Sequence, residues 1–293
     1  MLKRALLSTL SLALGITLTT AGVASAQTTA QHMPQTIFYV TTLAGANEVP
    51  AADPADHGHA VIRVRGTQVC FAESWTHLTT PMASHIHAGA AGVAGPVKIA
   101  LFTGAIPASI SALTGCTTSD AATLAAIKAN PGSFYVNIHT PLFPAGAGRG
   151  QLRRVHDVDD LHVSFGDESN FAAFAKGANE VPVAGAPDGR AVARFRITTD
   201  SVRFDLSWRG FTSPFASHIH SGVAGMAGPV VVPFFATATT DGLPPTLNGV
   251  TGSVMAAPDL LAQIRKNPAA FYFNMHTAAF KAGVARGQLF RIG

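Results

Sequence analysis

Along most of the chain, apolar and polar residues alternate in short runs bounded by Gly, Pro, Asn and Asp, which is how half-buried β-strands read. Residues 37–43, 59–65 and 68–78 follow this rule with Val, Ile, Phe and Thr, and so do 171–175, 190–197 and 201–208. Only two stretches have helical character. Residues 120–129 follow Ser119, a candidate N-cap, and end at Asn130-Pro131; residues 259–266 follow Pro258, suited to a first turn, and end at Asn267-Pro268. Trp75 and Trp208 fall at equivalent strand positions and are expected as core anchors, and Tyr135 and Tyr272 as core aromatics beside Phe134 and Phe271. Many short strands with Gly/Pro turns predict an all-β sandwich or barrel.

The chain matches itself. Gly45-Ala46-Asn47-Glu48-Val49-Pro50 returns 132 residues later at Gly177 to Pro182, and Ala83-Ser84-His85-Ile86-His87 returns after 133 as Ala216-Ser217-His218-Ile219-His220. Asn137-Ile138-His139-Thr140 and Arg149-Gly150-Gln151-Leu152 both return after 137, as Asn274-Met275-His276-Thr277 and Arg286-Gly287-Gln288-Leu289. Such steady offsets imply a tandem duplication with small loop insertions. The expected organisation is a first domain over 37–154, a linker over 155–163 where His156-Asp157-Val158-Asp159-Asp160 breaks the alternation, and a second domain over 164–293.

The N-terminus changes the setting. Lys3 and Arg4 precede a short apolar run, and Ala24-Ser25-Ala26 is the small-residue pattern cut by a signal peptidase. A signal peptide over 1–26 is expected, then a disordered lead-in over 27–36, and a secreted or periplasmic mature chain beginning near Gln27. The apolar run is shorter than the roughly 20 residues that span a bilayer, and no later stretch predicts a transmembrane helix. Losing Lys3 and Arg4 takes the formal charge from +4 to +2. With no dense Lys/Arg run, the sequence offers no electrostatic case for nucleic acid. In an oxidising compartment Cys70 and Cys116, the two cysteines of the chain, are expected to form a disulfide.

Taken together, these elements resemble the CHRD domain, a repeated module named after chordin. The resemblance rests on Gly45 to Pro50, on His85-Ile86-His87 with Gly89, Gly92 and Gly95-Pro96, on Asn130-Pro131, on Phe134-Tyr135-Val136-Asn137-Ile138-His139-Thr140, and on Arg149 to Leu152. The whole series repeats, with Gly228-Pro229, Asn267-Pro268 and Phe271-Tyr272-Phe273 in the second copy. It implies two tandem immunoglobulin-like or superoxide-dismutase-like Greek-key β-sandwiches, each with one short helix, in an extracellular protein. The partner expected is an unidentified protein or cell-envelope component.

The candidate chemistry lies in the histidines. Residues i and i+2 of a strand face the same way, about 7 Å apart, so His85 and His87 share one face. His139 lies opposite Phe134, Val136 and Ile138 in its own strand, and three imidazoles can then converge. The same holds for His218, His220 and His276. Two readings compete. In the first, a non-catalytic binding or structural module, the histidines belong to a buried polar network with Glu48, Asn137, Thr140, Arg149 and Gln151, repeated as Glu180, Asn274, Thr277, Arg286 and Gln288; Glu48–Arg149 and Glu180–Arg286 are its candidate ion pairs. In the second, each triplet binds copper or zinc, since three imidazoles suit either ion. A dismutase-like activity would need further histidines. His57, His59 and His77 are replaced in the second copy by Asp188, Arg190 and Gly210. No Ser/His/acid grouping stands out, and no catalytic residue is assigned.

Overall fold

In the computed structural model, residues 35–156 and 169–292 are described. The expected signal peptide, nearly all of the lead-in and linker residues 157–163 lie outside them. The first copy runs through β1 (Thr36–Ala44), β2 (His57–Arg65), β3 (Gln68–Thr76), β4 (Ala83–Ala88), β5 (Val97–Thr103), β6 (Ile110–Thr118), helix α1 (Ala121–Ala129), β7 (Phe134–His139), β8 (Gly148–Gln151) and β9 (Arg153–Val155). The second repeats the plan as β10 (Phe171–Lys176), β11 (Arg190–Ile197), β12 (Ser201–Arg209), β13 (Ala216–Ser221), β14 (Val230–Ala236), β15 (Leu247–Met255), α2 (Pro258–Lys266), β16 (Phe271–Thr277) and β17 (Phe280–Arg291).

All pairings are antiparallel. In the first copy β9-β1-β2-β3-β6 form one sheet and β8-β7-β4-β5 the other. The chain passes between them at Leu152, where β8 ends and β9 begins. In the second copy the single long strand β17 makes both pairings, with β16 and with β10. The inner faces hold the core: Ile62, Phe71, Trp75, Ile86 and Val136 in the first copy, and Phe195, Phe204, Trp208, Ile219 and Phe273 in the second, all buried. Both tryptophans are therefore the anchors their alternation predicts.

Two local expectations are corrected. Strand β3 stops at Thr76 rather than Leu78, because His77 has a φ of 65° and turns the chain out of the ladder. Helix α1 is capped by Asp120, not Ser119: the Asp120 carboxylate accepts from the Thr123 N–H at 2.8 Å and from its hydroxyl at 2.7 Å. Asp is as good an N-cap as Ser and brings its charge to the positive end of the helix. In α2, Pro258 takes the first turn as expected. Each helix buries two apolar residues at i, i+3, Leu124 and Ile127 in α1 and Leu261 and Ile264 in α2.

The copies are also joined. β6 pairs with β3 on one side and with β15 of the second copy on the other, Leu113 opposite Val250 and Thr114 opposite Gly249. The two five-stranded sheets thus form one continuous antiparallel sheet across both copies. Each covers an edge of the other that would otherwise expose unpaired N–H and C=O groups. Cys70 and Cys116, directly opposite each other on β3 and β6, are disulfide-bonded at this joint.

Candidate metal centre in each copy

His85 and His87 lie on β4 with Ile86 turned into the core between them. In the β4–β7 register His85 faces Asn137, His87 faces Tyr135, and Ala83 faces His139. Alternation therefore puts Tyr135, Asn137 and His139 on the same outer face as both strand-β4 histidines. The small Ala83 opposite His139 leaves its ring free to lean toward His85. Strand β13 repeats this register, with Ala216 opposite His276 and His218 opposite Asn274. Next to β5 and β14 the ladder shifts on both sides of the first histidine of each pair, at Ser84/His85 and Ile86/His87 and again at Ser217/His218 and Ile219/His220. Irregularities of this kind re-aim side chains.

The rings converge. Centroid separations are 5.6, 5.0 and 6.0 Å for the His85–His87, His85–His139 and His87–His139 pairs, and 5.5, 5.1 and 6.3 Å for the matching pairs of the second copy. In each triplet one ligand atom per residue lies within 4.8 Å of the other two. A triangle with no side above 4.8 Å fits inside a circle of about 2.8 Å radius, and metal–imidazole bonds are about 2.0–2.1 Å long. Small side-chain movements would close the difference.

Loops aim the rings. His87 donates its Nδ1 proton to the Gly95 carbonyl at 2.9 Å and His139 to that of Pro144 at 3.1 Å. Their counterparts His220 and His276 donate to Gly228 and Lys281, both at 2.9 Å. A backbone acceptor at Nδ1 holds the proton there and presents the Nε2 lone pair, which is how metal-ligating histidines are usually oriented. Gly95 and Gly228 must be glycine: a Cβ there would collide with the backbone carbonyls of Ala88 and Ser221.

In the second copy all three converging atoms, His218 Nδ1, His220 Nε2 and His276 Nε2, are buried without a hydrogen-bond partner. In the first, His87 Nε2 is likewise buried and unpartnered, while His85 Nδ1 lies 3.1 Å from His139 Nε2. Burial, and then the neighbouring imidazoles, push His85 and His218 down to about 4. Burial also lowers His87, His139, His220 and His276. The triplets are thereby kept neutral, the state in which imidazole can ligate.

The polar residues singled out with the histidines form the surrounding cradle. Glu48 accepts from the Asn137 amide at 3.4 Å, and both Glu180 oxygens accept from the Asn274 amide at 2.8 and 2.9 Å. Burial, partly offset by Arg149 or Arg286, pushes Glu48 up to about 7 and Glu180 up to about 8. The arginines direct their hydrogen bonds to carbonyls: Arg149 to Val93 at 2.8 Å, and Arg286 to Val223 and Met226 at 2.9 and 2.7 Å. They act as posts under the loops that carry Gly95 and Gly228, and the carboxylates feel them at longer range. Gln151 and Gln288 each tie three backbone carbonyls together, those of Gly89, Gly132 and Phe134 and those of Gly222, Ala269 and Phe271. Thr140 and Thr277 accept from the N–H groups of Phe143 and Phe280 at 3.1 and 3.3 Å, closing the turns after β7 and β16.

Tyr135 and Tyr272 are buried, as expected of core aromatics, but on the face of the sheet that carries the histidines. They are walls of the site, stacking on His87 and His220 with centroids 5.0 and 4.7 Å apart, and they carry Arg149 and Arg286 on the ring at 3.6 and 3.5 Å. Their hydroxyls accept from the Gly95 and Gly228 N–H groups at 3.0 and 3.1 Å. The signal was present in the alternation, since Tyr135, Asn137 and His139 share a parity; the aromatic character of Phe134-Tyr135 obscured it.

Gly283 holds this cradle at a φ of 151°, against the Glu180 carboxylate. Gly283→Ala should lower unfolding stability by about 2 kcal/mol, combining backbone strain with a displaced buried carboxylate. Urea denaturation reads the effect, and an unchanged midpoint would mean that this part of β17 relaxes freely.

A family model for the CHRD domain matches residues 39–152 and again 171–289, well over half of the 293-residue chain. No curated protein sequence matches the chain.

Proposed function

The chain belongs to the CHRD-domain family, with two tandem copies, and from that premise we propose that it is an exported metal-binding protein holding one copper or zinc ion per copy. One observation carries the reading. Three buried imidazole nitrogens in the second copy point at one another with no hydrogen-bond partner. A purely structural network would leave each of them with the desolvation cost of an unmade bond, about 1–3 kcal/mol. A cation meets all three lone pairs at once.

The donor set fits the ion. His85 Nδ1 with the Nε2 atoms of His87 and His139, and His218 Nδ1 with those of His220 and His276, would hold it. Borderline ions such as Zn²⁺ and Cu²⁺ favour neutral imidazole. Bound there, the ion would supply a Lewis-acidic centre with a position left for water or a small ligand. The chain's own residues do the rest: backbone carbonyls fix the tautomers, Tyr135 and Tyr272 fix one ring plane in each site, and Arg149 and Arg286 hold the covering loops. Export rests on the leader pattern of residues 1–26 and suits a binding role at the cell exterior.

The test is metal content after mild purification and after Cu²⁺ or Zn²⁺ loading. About two ions per chain are expected, one being lost in His85→Ala, one in His218→Ala and both in the double variant. Empty sites after loading, or full occupancy in the double variant, would sink the reading.

A further inference from the structure

The arginines of the second copy are scattered along the sequence, yet the strands collect them. In β11 the buried residues Ala191, Ala193, Phe195 and Ile197 alternate with outward Arg190, Val192 and Arg194. In the register, Arg190 faces Arg209 of β12 on one side and Lys176 of β10 on the other. Like charges placed directly opposite one another destabilise a sheet. Asp205 lies opposite Arg194, and exposed Asp188 precedes Arg190 with its backbone against Gly210, next to Arg209. Between Arg190 and Arg209 the surface sinks into a shallow depression of about 230 Å³, with Val192 and Ser207 also in its lining. Beside these cations Phe174, opposite Val192, is 59% exposed and lies against Phe290 with ring centroids 5.2 Å apart.

We propose that this outer face of the long sheet docks on an anionic phospholipid membrane, with Lys176, Arg190, Arg194 and Arg209 meeting headgroup phosphates and Phe174 entering the interface. Cations beside an exposed aromatic are the combination an anionic lipid surface rewards: charge draws the face in and the ring reaches the acyl boundary. A free anion in the depression would use Arg190 and Arg209 and give Phe174 no role. The His triplets lie on the other sheet of the sandwich, so docking here leaves them clear of the membrane. The proposal does not rest on the metal reading.

Vesicle co-sedimentation of the full chain tests it, with phosphatidylcholine alone and with phosphatidylglycerol added. Binding is expected only to the anionic vesicles and should fall away at high salt. Each cation near such a surface is worth about fivefold, so the double variant Arg190→Gln, Arg209→Gln should lose about thirtyfold in partitioning. Phe174→Ser should weaken vesicle binding and leave inorganic phosphate binding unchanged. Phe174 and Arg209 are exposed, and Arg190 is half-buried with its guanidinium donating to the Pro187 and Gly189 carbonyls, so matched thermal unfolding of the variants is the check that the fold is kept. The proposal is overturned by absence of binding to anionic vesicles at low salt, by equal binding of the double variant, or by capture of a polyanionic polysaccharide or nucleic acid with none to vesicles.

Discussion

Replacing both Cys70 and Cys116 by alanine should cost about 4 kcal/mol of unfolding stability. The bond closes a 46-residue loop in the unfolded chain. The chain-entropy relation assigns such a loop about 4 kcal/mol at 25 °C. The position enlarges the consequence. β6 is the strand that carries β15, so loosening β6 also loosens the joint between the copies. Urea denaturation under oxidising and reducing conditions measures the effect, and the alanine variant should make the two curves coincide. A change below about 1 kcal/mol would show that the ladder alone holds β6 in place.

Glu73→Leu should stabilise the protein, and increasingly so as the pH rises. Glu73 is wholly buried and points inward between Phe71 and Trp75; one carboxyl oxygen accepts from Ser84 at 2.8 Å and the other is buried without a partner. Burial pushes its carboxyl up from 4.5 to about 7. A group whose folded pKa is raised is stabilised in its protonated form. Its favourable contribution is therefore complete below about 4.5, falls away as pH climbs, and is lost above about 7. At about 1.36 kcal/mol per pKa unit, the shift costs on the order of 3 kcal/mol in alkaline solution. The second copy places Leu206, also wholly buried, at this position. There Ser217, the counterpart of Ser84, donates to the Asn274 carbonyl at 3.2 Å, so a serine freed from Glu73 has an alternative. Stability measured from pH 5 to 9 should fall in the parent and fall less in Glu73→Leu. Parallel curves would contradict the assignment.

How much was legible in the sequence differs by element. Strands β11 and β12 follow the 190–197 and 201–208 alternation almost residue for residue, because the period of two is a property of the extended backbone itself. The end of β3 was not legible, since nothing in the alternation of 68–78 announces the positive φ of His77. The sequence points to Ser119 as the cap of α1, and backbone geometry moves the cap one residue on, to Asp120.

The site divides in the same way. By itself the sequence determined the duplication, the all-β class, the family, and the shared face of His85 with His87 and of His218 with His220, because repeats and alternation are local or internal to the chain. Tertiary structure decided what no local pattern encodes. It brought His139 diagonally to His85 within one sheet instead of across the sandwich, and it chose which ring nitrogen faces inward by placing the Gly95 and Pro144 carbonyls at Nδ1. It stacked the buried Tyr135 on His87 at the site and fused the copies through β6 and β15. The strand pairings depend on register between residues tens to more than a hundred positions apart, and the choice of ring nitrogen on loops 8 and 5 positions away folding back onto the strands; such contacts are set by the balance of burial and hydrogen bonding over the whole fold.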